Sequence, residues 1–158
     1  MTSINGLPLH PLLVHFVVVL LPLAAICAVL SVVWPTARRK LGVITPILAL
    51  VALVLVPLTT SAGESLEQKV PPNALVENHA ELGDQALIWA APLFVFAAIW
   101  WALHHKWTES RLDGLDARAR SGVTVLTGLV LLIFALGSMV MVYRIGESGA
   151  QAVWHAGT

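Results

Sequence analysis

The sequence predicts an all-α integral membrane protein, a bundle of four transmembrane helices with both termini on the extracytoplasmic side. Three observations carry that expectation. Of 158 residues, 58% are hydrophobic and 11% charged, with a mean hydropathy of +0.83; soluble globular domains keep their apolar share to about half. Four apolar runs each reach the roughly 20 residues that a helix needs to cross a hydrocarbon core at about 1.5 Å per residue. Seven of the nine basic residues fall in two of the connecting segments. Helix is required because a bilayer offers backbone amides no other partner, and four spans are too few for a barrel.

We place the helices at about 11–34, 41–61, 74–105 and 122–145, within a single domain covering 1–158. Helix one carries Pro11 in its first turn, where a missing N–H costs nothing, and Pro22 inside, where a mild kink is expected. No basic residue precedes its apolar run, the first being Arg38, so it does not read as a cleaved signal and is expected to remain in the mature protein. Pro46 and Pro57 bracket helix two. After Pro71 and Pro72, Asn73 is an acceptable N-cap for a helix that begins before the membrane and continues through helix three. On that extension His79 lines up with Gly83, Ala86, Ala90 and Ala97, a stripe of small residues of the kind on which membrane helices pack. Helix four has a comparable stripe in Thr124, Gly128, Ala135 and Ser138. Gly146 and Gly149 are expected to break it, leaving Ala150, Val153 and Trp154 in a short interfacial segment. Trp34, Trp89, Trp100, Trp101 and Trp107 read mostly as interfacial anchors.

Orientation follows from charge. Arg38, Arg39 and Lys40 lie in one loop, and Lys106, Arg111, Arg118 and Arg120 in another, so both loops are expected in the cytoplasm. The other side holds Glu64, Glu67, Glu77, Glu81, Asp84 and Glu147 against Lys69 and Arg144 alone. Nine basic residues balance nine acidic ones, which leaves no net field to attract nucleic acid.

None of the four apolar stretches that cross the membrane, 11–34, 41–61, 85–103 and 122–143, contains Asp, Glu, Lys or Arg, which argues against a pump or secondary transporter, because such proteins hold charge at membrane depth. Polar groups gather instead at the outer end: His10, His15, Glu64, His79, Glu81, Asp84, Arg144, Glu147 and His155. Among them His15 and His79 are expected to converge. The first reading is that both are boundary histidines bonding a neighbour or a lipid headgroup; the alternative is a pair of imidazole ligands for noncovalent haem b or a metal ion, no CxxCH motif being present for covalent haem. His10, directly before Pro11, reads as a helix-start or surface residue. It lies five residues from His15, about 140° around a helix, so one metal would not take both. Arg144 is a candidate partner for a haem propionate or a lipid headgroup. His104 and His105 have no inner-side histidine to pair with, so a two-haem wire across the membrane is not expected. Cys27, inside helix one, reads as a small packing residue.

The segments HPLLVHF, TSAGES, NHAELGD and RIGESGAQAVW together resemble the bacterial membrane-protein family called domain of unknown function 2231, across nearly the whole chain. Many members carry Pro after the HF pair, where this chain has Val17, and Asp or His at the position of Glu147. The resemblance implies a multi-pass protein of the bacterial inner membrane with unassigned activity. Some members are joined to Rieske-type iron–sulfur domains, which implies redox work and, for this chain, a separate membrane or periplasmic electron partner. Three functions are thus in play: a structural or accessory protein whose outer polar cluster docks a partner, a haem or metal redox module, and a small transporter or channel. They are ranked in that order, and an enzyme is not the first expectation.

Overall fold

A computed structural model describes residues 3–4, 7–70, 73–105 and 116–154. Pro71, Pro72, Lys106, Trp107, Arg111 and His155 lie outside the described residues. The elements are a two-residue antiparallel ladder of β1 (Ser3–Ile4) and β2 (Leu7–Pro8), then α1 (Leu9–Val33), α2 (Pro35–Leu41), α3 (Ile44–Glu67), α4 (Ala74–Leu103) and α5 (Ala117–Trp154). All but α2 among these helices are long and apolar enough to cross a membrane. They pack as a square bundle: α1 lies against α3 and α5, α4 against the same two, and α1 and α4 face each other across a diagonal with little contact.

Each long helix buries one narrow stripe at heptad-like spacing. On α1 the buried positions include Leu21, Ala24, Ala28 and Ser31, and on α3 Thr45, Ala49, Ala52, Val56 and Thr59. On α4 they are Leu82, Ala86, Ala90, Leu93, Ala97 and Trp100, and on α5 they include Gly128, Leu131, Ala135, Ser138 and Ser148. Small side chains dominate because apolar helices gain nothing by leaving lipid for one another; close backbone approach and dispersion hold them together. The outward faces are large and apolar, as at Val19, Ile88, Leu126 and Ile133, which suits contact with acyl chains.

Two expectations about boundaries change. The second long helix does not stop at Ser61 but runs through Gly63 to Glu67, and the last does not break at Gly146 and Gly149 but continues to Trp154. Glycine lowers helix propensity by about 1 kcal/mol, which does not end a helix where tertiary contact needs the missing Cβ, as Gly63 and Gly149 show below. The tryptophans also divide. Trp34 is exposed, whereas Trp100 is buried in the core and Trp89 is half-buried with its ring against Gly137, so these two pack the bundle rather than anchor it. Asn73 caps α4 as its sequence predicts, its side-chain oxygen accepting from the Leu75 N–H at 2.8 Å.

Candidate functional site

The two ends of the bundle differ. The acidic end holds the start of α1, the end of α3, the start of α4 and the end of α5, with Glu64, Glu67, Glu77, Glu81, Asp84 and Glu147; the basic end holds α2 with Arg38, Arg39 and Lys40. At the acidic end the four helices enclose an apolar chamber of about 410 Å3, reaching from Val70 and Val153 at its mouth to Leu21, Val56, Ala86 and Met141. That volume is within the range of small-molecule and cofactor sites, roughly 300–1,000 Å3.

His10 and His79 stand in this chamber, projected from the diagonal helices α1 and α4, with ring centroids 6.2 Å apart and planes at 80°. The other two helices orient them. His10 Nδ1 lies 2.9 Å from the carbonyl of Thr59 on α3; a carbonyl only accepts, so Nδ1 carries the hydrogen. His79 Nδ1 lies 2.9 Å from Ser148 Oγ on α5, and the Ser148 hydroxyl spends its one hydrogen on the Ile145 carbonyl at 3.0 Å. Ser148 therefore accepts from His79, and that Nδ1 is protonated as well. The Ile145 carbonyl also accepts from the His79 ring; with Nδ1 protonated on both rings, the neutral form keeps a lone pair on each Nε2, for which no hydrogen bond is found among the described residues.

The glycines complete the cradle. A Cβ at Gly63 would sit 3.0 Å from His10 Cε1, and one at Gly149 would sit 3.0 Å from His79 Cε1. Gly63 follows Thr59 by four residues, and Gly149 follows Ile145 by four. Each imidazole thus lies against a glycine one helical turn beyond the carbonyl that fixes its direct or Ser-mediated hydrogen bond.

The expected meeting of His15 with His79 is corrected by this geometry. His15 is exposed on α1, lines no part of the chamber, and gives its Nδ1 hydrogen to the Pro11 carbonyl of its own helix. His10, assigned from sequence to a helix start or surface, is the residue that faces His79. Of the remaining polar candidates, Glu64 and Asp84 are exposed at the chamber wall, while Glu81, Arg144 and Glu147 are exposed and outside it. Glu67, half-buried, lines the wall too, so the mouth is acidic, and among the described residues no Lys or Arg lines it. Among the described residues no three of His, Cys, Asp and Glu gather as a metal site.

At the basic end His104 Nδ1 donates to the Trp100 carbonyl at 2.8 Å, its ring 4.4 Å from that of Trp100. The sequence placed His10 among the outer-end polar groups as a helix-start or surface residue and Gly149 as a helix breaker, and it did not single out Thr59, Gly63 or Ser148. The signal that finds them is the extension of each helix's buried stripe toward the acidic end.

No curated protein and no solved structure matches the chain. Four apolar helices packed as a bundle accord with the family to which the chain belongs, described as predicted membrane protein (DUF2231), whose profile matches residues 6–158.

Proposed function

We propose that this protein is a membrane-embedded binding module whose acidic-end chamber takes a metal centre through His10 and His79, with noncovalent haem b the form that fits best. One observation carries the reading: two imidazoles on diagonal helices are fixed through Nδ1–H and leave both Nε2 lone pairs unpartnered in one apolar chamber. Ligating histidines are held this way, the second nitrogen donating to a carbonyl or another acceptor.

Two protein donors without a third suit a metal that brings its other ligands with it, as porphyrin iron does, better than a bare ion, which usually takes three or four protein ligands. When bound, such a group supplies one-electron chemistry. The chain's own part is to hold two Nε2 atoms in place, exclude water with Val14, Val17, Leu21 and Val56, and present an acidic rim. Glu64, Glu67 and Asp84 would disfavour a propionate beside them, and Arg144, outside the chamber, does not offset them there.

The same reading places the acidic end on the extracytoplasmic face of the bacterial inner membrane, because the basic loops favour the cytoplasm. An electron partner is then a separate membrane or periplasmic protein, for which the acidic rim offers charge complementarity. The accessory-protein reading stands beside it, favoured by Val153 and Trp154, 74% and 78% exposed at the tip of α5.

The test is an absorption spectrum and elemental analysis of the purified full chain, before and after loading with hemin, Zn2+ or Cu2+. About one metal per chain is expected, lost in His10→Ala and His79→Ala and kept in His15→Ala. A Soret band marks haem; bound metal without one marks a bare ion. If no loading gives histidine-dependent binding, the chamber is not a metal site.

A further inference from the structure

The basic end carries a second pocket, of about 390 Å3, bounded by Arg38, Arg39, Thr45, Trp100 and Trp101. Arg38 is bent back onto α1: its Nε donates to the Ser31 carbonyl at 2.8 Å and its Nη2 to the Val32 carbonyl at 3.2 Å, while its guanidinium carbon lies 4.8 Å from the Trp100 ring centre. Trp100 Nε1 donates to the same Ser31 carbonyl at 3.3 Å. Charge and aromatic wall are thereby locked together against the ends of two spans, with Arg38 Nη1 left without a partner among the described residues.

Gly42, at φ +45°, turns the chain from α2 into α3, a backbone conformation that favours glycine. That turn brings the first turn of α3 to the pocket, and no side chain caps it: Val43 stands at the N-cap with no side-chain hydrogen bond. Uncapped N–H groups at a helix start favour an anion. An independent sign lies in Thr45, only 4% exposed, which lines the pocket with its Oγ1 buried and without any hydrogen-bond partner. A helical threonine ordinarily satisfies its hydroxyl on the carbonyl one turn back, and an unmade buried hydrogen bond is costly.

We infer that this pocket binds a phosphate group, held by Arg38, Arg39, the Thr45 hydroxyl and the start of α3. Its position at the end of the apolar spans makes the headgroup of an anionic phospholipid the natural source; a free phosphate has the same chemistry. Arginine suits the role through its planar fork of donors, and half-buried Trp101 supplies an amphipathic wall of the kind found at headgroup depth.

The full chain in a neutral detergent tests this, titrated with dioctanoyl phosphatidylglycerol, dioctanoyl phosphatidylcholine or inorganic phosphate. Binding is read by native mass spectrometry and by tryptophan fluorescence. The glycerol lipid should bind roughly tenfold more tightly than the choline lipid, which carries the same phosphate but sets a quaternary ammonium beside Arg38 and Arg39. Thr45→Val, which keeps the shape and removes the hydroxyl, should weaken both lipids, and Arg39→Gln should erode the preference between them. Competition by inorganic phosphate, lost in the same variants, would name the free anion as the ligand. Equal binding of the two lipids with no effect of phosphate, or a lipid affinity unchanged by Thr45→Val together with a preference that survives Arg39→Gln, overturns the inference.

Discussion

Replacing Gly137 by alanine inserts one methyl group where the bundle has no room for it. The new Cβ would stand 1.9 Å from Trp89 Cζ3, 2.2 Å from Cε3 and 2.8 Å from Cη2, against the roughly 3.5–4.0 Å at which carbon atoms rest in contact. Trp89 cannot simply slide away. Its ring meets Phe134 edge-on at 5.9 Å, and Phe134 in turn stacks on Phe96 at 6.0 Å. Overpacking of this kind costs about 1–3 kcal/mol, and overlap with a ring so confined lies toward the upper end. Alanine's better helix propensity returns about 1 kcal/mol, so the net loss is about 1–2 kcal/mol. Gly146, on the same helix, is the control. A Cβ there meets nothing within 4 Å, so Gly146→Ala should gain up to about 1 kcal/mol. The two substitutions should differ by about 2–3 kcal/mol, which is more than tenfold in the unfolding equilibrium. Titration of detergent-solubilised protein with sodium dodecyl sulfate, followed by far-ultraviolet circular dichroism, measures it without relying on Trp89 as a probe. If Gly137→Ala is at least as stable as the native chain, Trp89 is not wedged between α4 and α5.

The small stripe of α4 makes a second comparison: Ala86→Leu, at a position 4% exposed, should reduce the yield of folded monomer in detergent, while Leu87→Ala, at one 44% exposed, should leave it near native. Equal tolerance would mean that the stripe does not pack. Ser148→Ala removes the acceptor that orients His79; with the proposed metal centre, affinity should fall roughly 10–100-fold, read by titration with hemin or metal. A loss of stability with unchanged affinity would assign Ser148 to packing alone.

Helical periodicity, capping and composition determined the bundle. Apolar run length sets the four spans because the bilayer demands satisfied backbone groups locally, Asn73 started α4 as its side chain predicts, and Ala86, Ala90 and Ala97 face inward as a small stripe should. The sequence also bounded the histidines, since a five-residue offset puts His10 and His15 about 140° apart on a helix, so that at most one of them turns inward. Which one does so was decided by tertiary structure. Whether Leu9 and His10 join the helix ahead of Pro11 depends on what receives them, and the receivers are the Thr59 carbonyl and the bare face of Gly63, some fifty residues on. The buried stripe of α1, followed backward from Ser31 through Ala28, Ala24 and Leu21, passes Val17 and Val14 and arrives at His10, not His15. That of α3 arrives at Thr59 and Gly63, and that of α5 at Ser148. The glycines misled for the same reason. Taken locally Gly146 and Gly149 are helix breakers, but at Gly149 the cost of propensity is local, whereas room for the His79 ring exists only once α4 and α5 are packed.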